Sequence, residues 1–289
     1  MNRTFEVIKS LISCTIKNDF AGLAAEMSYN LTLSIFPFAI FAVALFGLLG
    51  TQNAVNTIVN LLSTIAPAGT LDLVGKVLTD ILAVPSNTIL SFTGLLGSLW
   101  AASGAVRDVM KGINRAYNIP ETRSFFKIAF LSIIAVIVLV LMLFLSVNLI
   151  IFGTWIFQAL TSKMQVNDMI FNVVYWVRWP IAFLVIFFIM IIVYYFLPDI
   201  KANKRELLIS SIPGAIFFSL FWLLGSWGFR IYVENFAHYN SIYGTLGTFV
   251  VLLVWFYYSS LVMLIGGGLC SEIYKIIRPK VVEFRYQND

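Results

Sequence analysis

Phe126–Phe152 reads FKIAFLSIIAVIVLVLMLFLSVNLIIF, and past Lys127 at its mouth Asn148 is the one strongly polar side chain in it. Crossing about 30 Å of hydrocarbon as a helix takes about 20 residues. The stretch is therefore long enough to span a bilayer. Five more stretches of the same kind surround it, at about Tyr29–Gly50, Thr88–Met110, Val173–Leu197, Leu207–Phe229 and Thr245–Leu269. Together they predict an all-α polytopic membrane protein with six transmembrane helices in one domain covering 1–289. Hydrophobic residues make up 60% of the chain and charged residues 11%, against about 45–50% and about 25% in soluble globular proteins. A soluble fold has too little interior to hide that much apolar surface. These proportions exclude a disordered chain, a disulfide scaffold and an ordinary cytosolic enzyme. The first apolar stretch starts too late and runs too long for a cleaved signal peptide.

The connections set the orientation. Lys and Arg gather on the cytoplasmic side of membrane helices. Of the 19 here, 15 fall in the N-terminal segment, the connections after spans two and four, and the tail. The other side has Lys76, Lys163 and Arg230, with Arg178 dipping into the membrane near the start of span four. This bias predicts that both termini lie in the cytoplasm. Within about residues 2–20, Phe5, Ile8, Leu11, Ile12 and Ile16 recur at helical spacing beside basic residues, which predicts an interfacial helix. Between spans one and two, about 51–87, Leu71, Val74, Val77, Leu78, Ile81 and Leu82 repeat with a period near 3.6. That predicts a helical outer loop, broken at Pro67-Ala68-Gly69.

Enzyme signatures are missing. The sequence contains no Walker A motif, no dinucleotide-binding glycine fingerprint, no Gly-x-Ser-x-Gly and no His-Glu-x-x-His. His238 is the single histidine, and Cys14 and Cys270 match no zinc or redox spacing. Glu26, Asp108, Asp199 and Glu234 lie on different segments and form no visible carboxylate pair. No catalytic residue, metal or cofactor is expected, and no nucleic-acid partner.

Polar groups placed in or beside apolar spans carry more information, because they are costly there and face bundle interiors or wet cavities. Glu26, Tyr29 and Asn30 open span one. They read either as an acid stabilised by the helix dipole or as part of a cavity. Arg107, Asn114, Arg115 and Tyr117 cluster where span two meets the cytoplasm. They read either as headgroup-level anchors or as a pocket for an anionic headgroup, since Arg presents a fork suited to phosphate. The densest cluster lies between spans five and six, with Arg230, Tyr239 and Tyr243 among ten polar, aromatic and glycine positions. An interfacial aromatic belt and a substrate site both fit it. Gly244 and Gly247 permit an unwound helix start, and Pro37, Pro213 and Gly214 offer similar breaks inside spans one and five.

Several blocks, in order, are familiar. They are Ala24-Ala25-Glu26-Met27-Ser28-Tyr29 with Leu33-Ser34-Ile35-Phe36-Pro37, Trp100-Ala101-Ala102-Ser103-Gly104-Ala105, and Ile113-Asn114-Arg115-Ala116-Tyr117 with Pro120-Glu121-Thr122-Arg123-Ser124. Leu197-Pro198, Pro213-Gly214-Ala215, Tyr232-Val233-Glu234-Asn235-Phe236 and Tyr239 to Gly247 complete them. In these the sequence resembles the YihY/BrkB family of bacterial inner-membrane proteins along nearly its whole length. The resemblance implies six helical spans. It also brings an old label, ribonuclease BN, and links to virulence and envelope lipid transport. One departure stands out: where the family usually has Gly-Ala-Glu-Leu-Asn, this chain has Gly266-Gly267-Gly268-Leu269-Cys270, so the usual acid is missing at Gly268.

The functional expectation is a transporter with membrane lipids as partners. A cavity between spans one, two, five and six would admit an amphiphilic or anionic substrate. Arg107, Arg115 and Arg230 would contact its headgroup, and Tyr29, Asn30, Asn114, Tyr239 and Tyr243 would orient it, with Glu26 and Tyr117 in the same site. Pro37, Pro213, Gly214, Gly244 and Gly247 would supply hinges. A non-transporting scaffold for an envelope protein, and the nuclease, remain as alternatives. The nuclease would need metal-binding carboxylates or an acid/base pair with an exposed basic surface, and topology already explains the basic residues.

Overall fold

The computed structural model describes residues 3–48, 88–141, 168–200, 203–243 and 245–277. Among them the chain forms seven helices and no strand: α1 Arg3–Lys17, α2 Phe20–Leu48, α3 Thr88–Ala116, α4 Phe125–Leu141, α5 Asp168–Phe196, α6 Lys204–Tyr243 and α7 Thr245–Ile277. The described part of each apolar stretch read from the sequence falls in a helix from α2 to α7, but for Leu197 just past the end of α5. The second half of Phe126–Phe152, the outer loop 51–87 and the tail from 278 lie outside the described residues. Two segments, Lys204–Phe229 and Phe249–Ile277, are long and apolar enough to cross a membrane, each with mean hydropathy 2.1.

Helix ends follow local chemistry. Asp19, in a left-handed turn (φ 48°), accepts a hydrogen bond on Oδ1 from the Gly22 N–H at 3.1 Å. This cap starts α2 at Phe20 rather than at Tyr29. Glu26 therefore sits inside the helix, past the first turn where the dipole acts. At the other end of α3, Asn118 takes a positive φ of 54°. Its N–H bonds the Arg115 carbonyl at 2.9 Å and the Ile119 N–H bonds that of Asn114 at 3.0 Å. That is a Schellman termination, with Asn in the left-handed position and Pro120 just beyond. The sequence suggested a connection across 230–244, but α6 stays helical to Tyr243. Between Arg230 and Tyr243 there is no Gly or Pro to stop it. Forty residues make it about 60 Å long, so it outreaches the hydrocarbon.

α7 is the hub: α1, α2, α3 and α6 all contact it, and α5 packs along α6 and reaches α7 through the Tyr194 hydroxyl, which donates to the Met263 carbonyl at 2.8 Å. One core cluster joins Ile113 and Tyr117, Met190 and Tyr194 of α5, Leu207, Ala215 and Phe218 of α6, and Val262 and Cys270 of α7. A second joins Phe20, Leu23, Ala24 and Met27 to Ala116 and Leu264. Most buried serine hydroxyls donate within their own helix, as with Ser210 and Ser211 to the Leu207 carbonyl, each at 2.8 Å. Ser271 instead donates to the Tyr117 carbonyl, and Ser260 Oγ has no partner among the described residues. Outside this core the surface is greasy: Phe126 is 82% exposed, and Phe130, Phe196 and Leu224 also point outward. Such a surface belongs against lipid tails.

Candidate functional site

α2 and α3 lie side by side because Gly112 has no side chain: a Cβ there would stand 2.7 Å from Met27 Sδ and 3.1 Å from Leu264 Cδ2. Their outward edges form a polar seam. Glu26 and Asn30, one turn apart on α2, face Lys111 and Asp108 on α3. Lys111 Nζ donates to Glu26 Oε1 at 2.5 Å, and both side chains are about half exposed, at 51% and 45%. The Asn30 side chain lies beside Asp108. Above them Arg107 lies over the Trp100 ring, 4.9 Å from its centroid, and donates from a guanidinium nitrogen to Ser103 Oγ at 2.5 Å. Tyr29 and Leu33 on α2, and Gly97, Trp100 and Ala101 on α3, are exposed along the same seam. Trp100 also meets Phe125 at the start of α4, ring to ring at 6.2 Å.

The seam thus brings together Glu26, Tyr29, Asn30 and Arg107, four of the residues singled out from the sequence, with exposed Arg115 continuing the same α3 face below it. It adds Asp108 and Lys111. The sequence kept Glu26 and Asp108 apart as dispersed acids, and the helix pairing is what joins them. Lys111 counted only as a topological charge, although its spacing of four from both arginines was legible. Among the described residues, no three His, Cys, Asp or Glu side chains are placed to hold a metal ion.

Asn114 and Tyr117 point elsewhere. Asn114 is buried, donates from Nδ2 to Glu121 Oε2 at 2.7 Å, and accepts the Asp199 N–H at 2.8 Å. Around it a clasp closes: Arg123 donates to both Glu121 oxygens, at 2.7 and 2.6 Å, and to the Leu197 carbonyl at 3.0 Å. Thr122 bonds Asp199 Oδ2 through its N–H and its hydroxyl. The clasp ties the α3–α4 connection to the end of α5. Burial pushes the Glu121 carboxyl up, but the hydrogen bonds and charge of Arg123 outweigh it and hold it below the usual carboxylate range. Tyr117 is in the core, its hydroxyl 3.3 Å from the Tyr194 carbonyl it donates to, and burial lifts its phenol well above the usual range.

The hinge candidates divide. α2 and α6 run on through Pro37 and Pro213, Gly214 is buried in the α6–α7 crossing, and Gly247 lies in the first turn of α7. α6 ends at Tyr243 and α7 begins at Thr245, on either side of Gly244, which lies outside the described residues. Arg230, Tyr239 and Tyr243 fall on the far part of α6, and their side chains are outside those described.

The virulence factor BrkB family matches residues 12–280. This chain belongs to that family. The ribonuclease-like protein YfkH of Bacillus subtilis is 29% identical over 93% of this chain and 95% of its own length. A UPF0761 membrane protein of Aggregatibacter aphrophilus is 23% identical over 93% of this chain and 94% of its own. A UPF0761 membrane protein of Xanthomonas oryzae pv. oryzae is 32% identical, over 38% of this chain and 23% of the relative. No solved structure matches the chain. The protein is thus a membrane protein of the BrkB/UPF0761 family.

In this BrkB chain the departure at Gly268 has a steric setting. A Cβ there would stand 3.0 Å from Leu11 Cδ1 and 3.3 Å from a Phe20 ring carbon, so α1 and the start of α2 close over the position. Glu272, one turn on, turns inward instead. It is buried, accepts from Ser10 Oγ at 2.7 Å and from Lys275 Nζ at 2.6 Å, and fastens α1 to α7 beside a cleft of about 370 Å³ lined by Glu6, Val7, Ser10 and Ile276.

Proposed function

We propose that this chain is a transporter of the bacterial cytoplasmic membrane, moving a lipid or another amphiphilic, anionic substrate along the α2–α3 seam. One observation carries the reading: three cations and two carboxylates, partly exposed, line one edge of two otherwise apolar helices. Charged groups there are expensive and mark ion or substrate paths. Arg107, set on Trp100 with Ser103 as its one hydrogen-bond acceptor among the described residues, is presented as a docking point for a phosphate or carboxylate. In this reading α2 to α7 are six spans with cytoplasmic termini, membrane lipids are the ligands, and the chain carries no catalytic group or cofactor. The scaffold for an envelope protein is the reading it displaces.

Reconstituted into liposomes with fluorescent phospholipid, the protein is expected to speed exchange between leaflets, and Arg107→Ala to slow it about tenfold, the cost of one charge-assisted contact. Rates no faster than in empty liposomes would overturn the proposal. The name of the Bacillus subtilis relative motivates one rival, RNA cleavage. Hydrolysis of RNA that co-purifies with this chain and disappears in its own point variants would establish it instead.

A further inference from the structure

The cations of the seam are spaced for use in sequence. Arg107, Lys111 and Arg115 follow one another at four-residue intervals on α3, so each lies one turn, about 6 Å, from the next on nearly the same face. Exposure is graded along the row: Arg107 is half-buried, while Lys111 and Arg115 are exposed. Their engagements differ. Arg107 rests on Trp100 and Ser103, and Lys111 is paired with Glu26. With Glu26 and Asp108 as its acids, the seam has three cations against two carboxylates and so keeps a positive surplus.

We propose that Arg115, Lys111 and Arg107 form a ladder for the phosphate of a net-anionic lipid headgroup, with Glu26 as a built-in competitor that occupies Lys111 until the phosphate replaces it. The proposal rests on the transporter reading for the choice of site. An ion pair with both side chains half exposed is screened and weak, so its lysine exchanges partners readily. The contrast is Arg123, 6% exposed and bound to Glu121 and a backbone carbonyl at once, which no passing ligand can displace. Trp100, its ring centroid 4.9 Å from the Arg107 guanidinium carbon, holds that group at the seam, where it can make a two-pronged contact with phosphate. A zwitterionic headgroup would bring an ammonium against the same cations and be disfavoured. Like-charge contact is how such sites reject a competitor.

The test is equilibrium binding by calorimetry on the full chain in detergent, titrated with dioctanoyl phosphatidylglycerol, dioctanoyl phosphatidylcholine and soluble glycerol phosphate. Phosphatidylglycerol should bind most tightly. Glu26→Gln should tighten it about three- to tenfold and Lys111→Ala weaken it about tenfold, with phosphatidylcholine changed less than twofold by either. The double variant should bind like Lys111→Ala, because Glu26 acts only through that lysine. Thermal unfolding of each variant shows that it is folded. If Glu26→Gln weakens binding, the pair is merely a strut between α2 and α3 and the ladder is wrong. Equal binding of the two lipids overturns it as well, and glycerol phosphate binding as tightly as the lipid would give the seam to a soluble anion and overturn the lipid. Leaflet exchange is a separate measurement: selective binding without exchange would sink the transporter and leave the ladder, while exchange insensitive to these variants would do the reverse.

Discussion

Arg123 fastens the loop after α3 with one guanidinium, and its substitution should be felt far from any seam. Arg123→Ala leaves the Leu197 carbonyl without its donor and strips Glu121 of its charged partner, leaving it the Asn114 amide and one backbone N–H. Hydrogen bonds to charged groups contribute about 1.5–3 kcal/mol, so thermal unfolding in detergent should drop by about that much. Acid should do part of the same work. Glu121 is held below its ordinary range, so its contribution is present above the unfolded carboxylate value of about 4.3 and is lost as the pH falls through the folded one. The unfolding midpoint should therefore fall below about pH 4, and Glu121→Gln should flatten that fall; equal slopes in both proteins would refute the assignment. Little of the clasp was legible in advance. Asp199 is 77 positions from Thr122, and no spacing rule links them. Asn114 drew notice as a polar group at a membrane boundary, but burial against two partners makes it a structural fastening, and Tyr117 is likewise a core residue.

At the scale of elements, α6 and α7 meet at backbone contact. A Cβ at Gly214 would run into the Gly266 carbonyl oxygen and Cys270 Sγ. Small residues are how membrane helices approach so closely. Gly214→Leu should then cost about 1–3 kcal/mol by overpacking, whereas Gly97→Ala, with open space around it, should leave the unfolding midpoint unchanged. Both results come from the same thermal scan. α1 tests the other kind of face. Leu11, Cys14 and Ser10 turn toward the bundle, while Phe5, Ile8, Ile12 and Ile16 are exposed in one row, Ile16 at 75%. A polarity-sensitive dye on Ile12→Cys should emit as in an apolar medium when the protein is in liposomes, and aqueous emission would show that α1 stands off the membrane. The helices themselves were legible because uninterrupted apolar length says so. Their pairing was not, because lipid solvates every apolar face equally and periodicity then marks no inner side. That is why α2 and α3 could be read separately and still hide the meeting of Glu26 with Lys111 and Asp108.

For the whole molecule, direction matters most, and it rests on where 15 of 19 cations fall. In the proposed orientation, with positive charge held in the cytoplasm, both termini, the clasp and the exposed Arg115 lie on that side, and Arg107 lies two turns of α3, about 12 Å, deeper. An anionic headgroup would then enter the seam from the cytoplasmic leaflet, meeting the most exposed cation first and the Trp100-bound one last. Inverting the protein would reverse that order and set the exposed end of the row against the outer leaflet, so topology and mechanism stand or fall together. A membrane-impermeant maleimide on spheroplasts separates the cases. Asn2→Cys should label only after permeabilisation, and Lys163→Cys should label at once. With native Cys14 half-buried and Cys270 buried, the unmodified chain supplies the background. Immediate labelling at Asn2→Cys would turn the molecule over, and a substrate path starting at Arg115 would have to begin outside the cell.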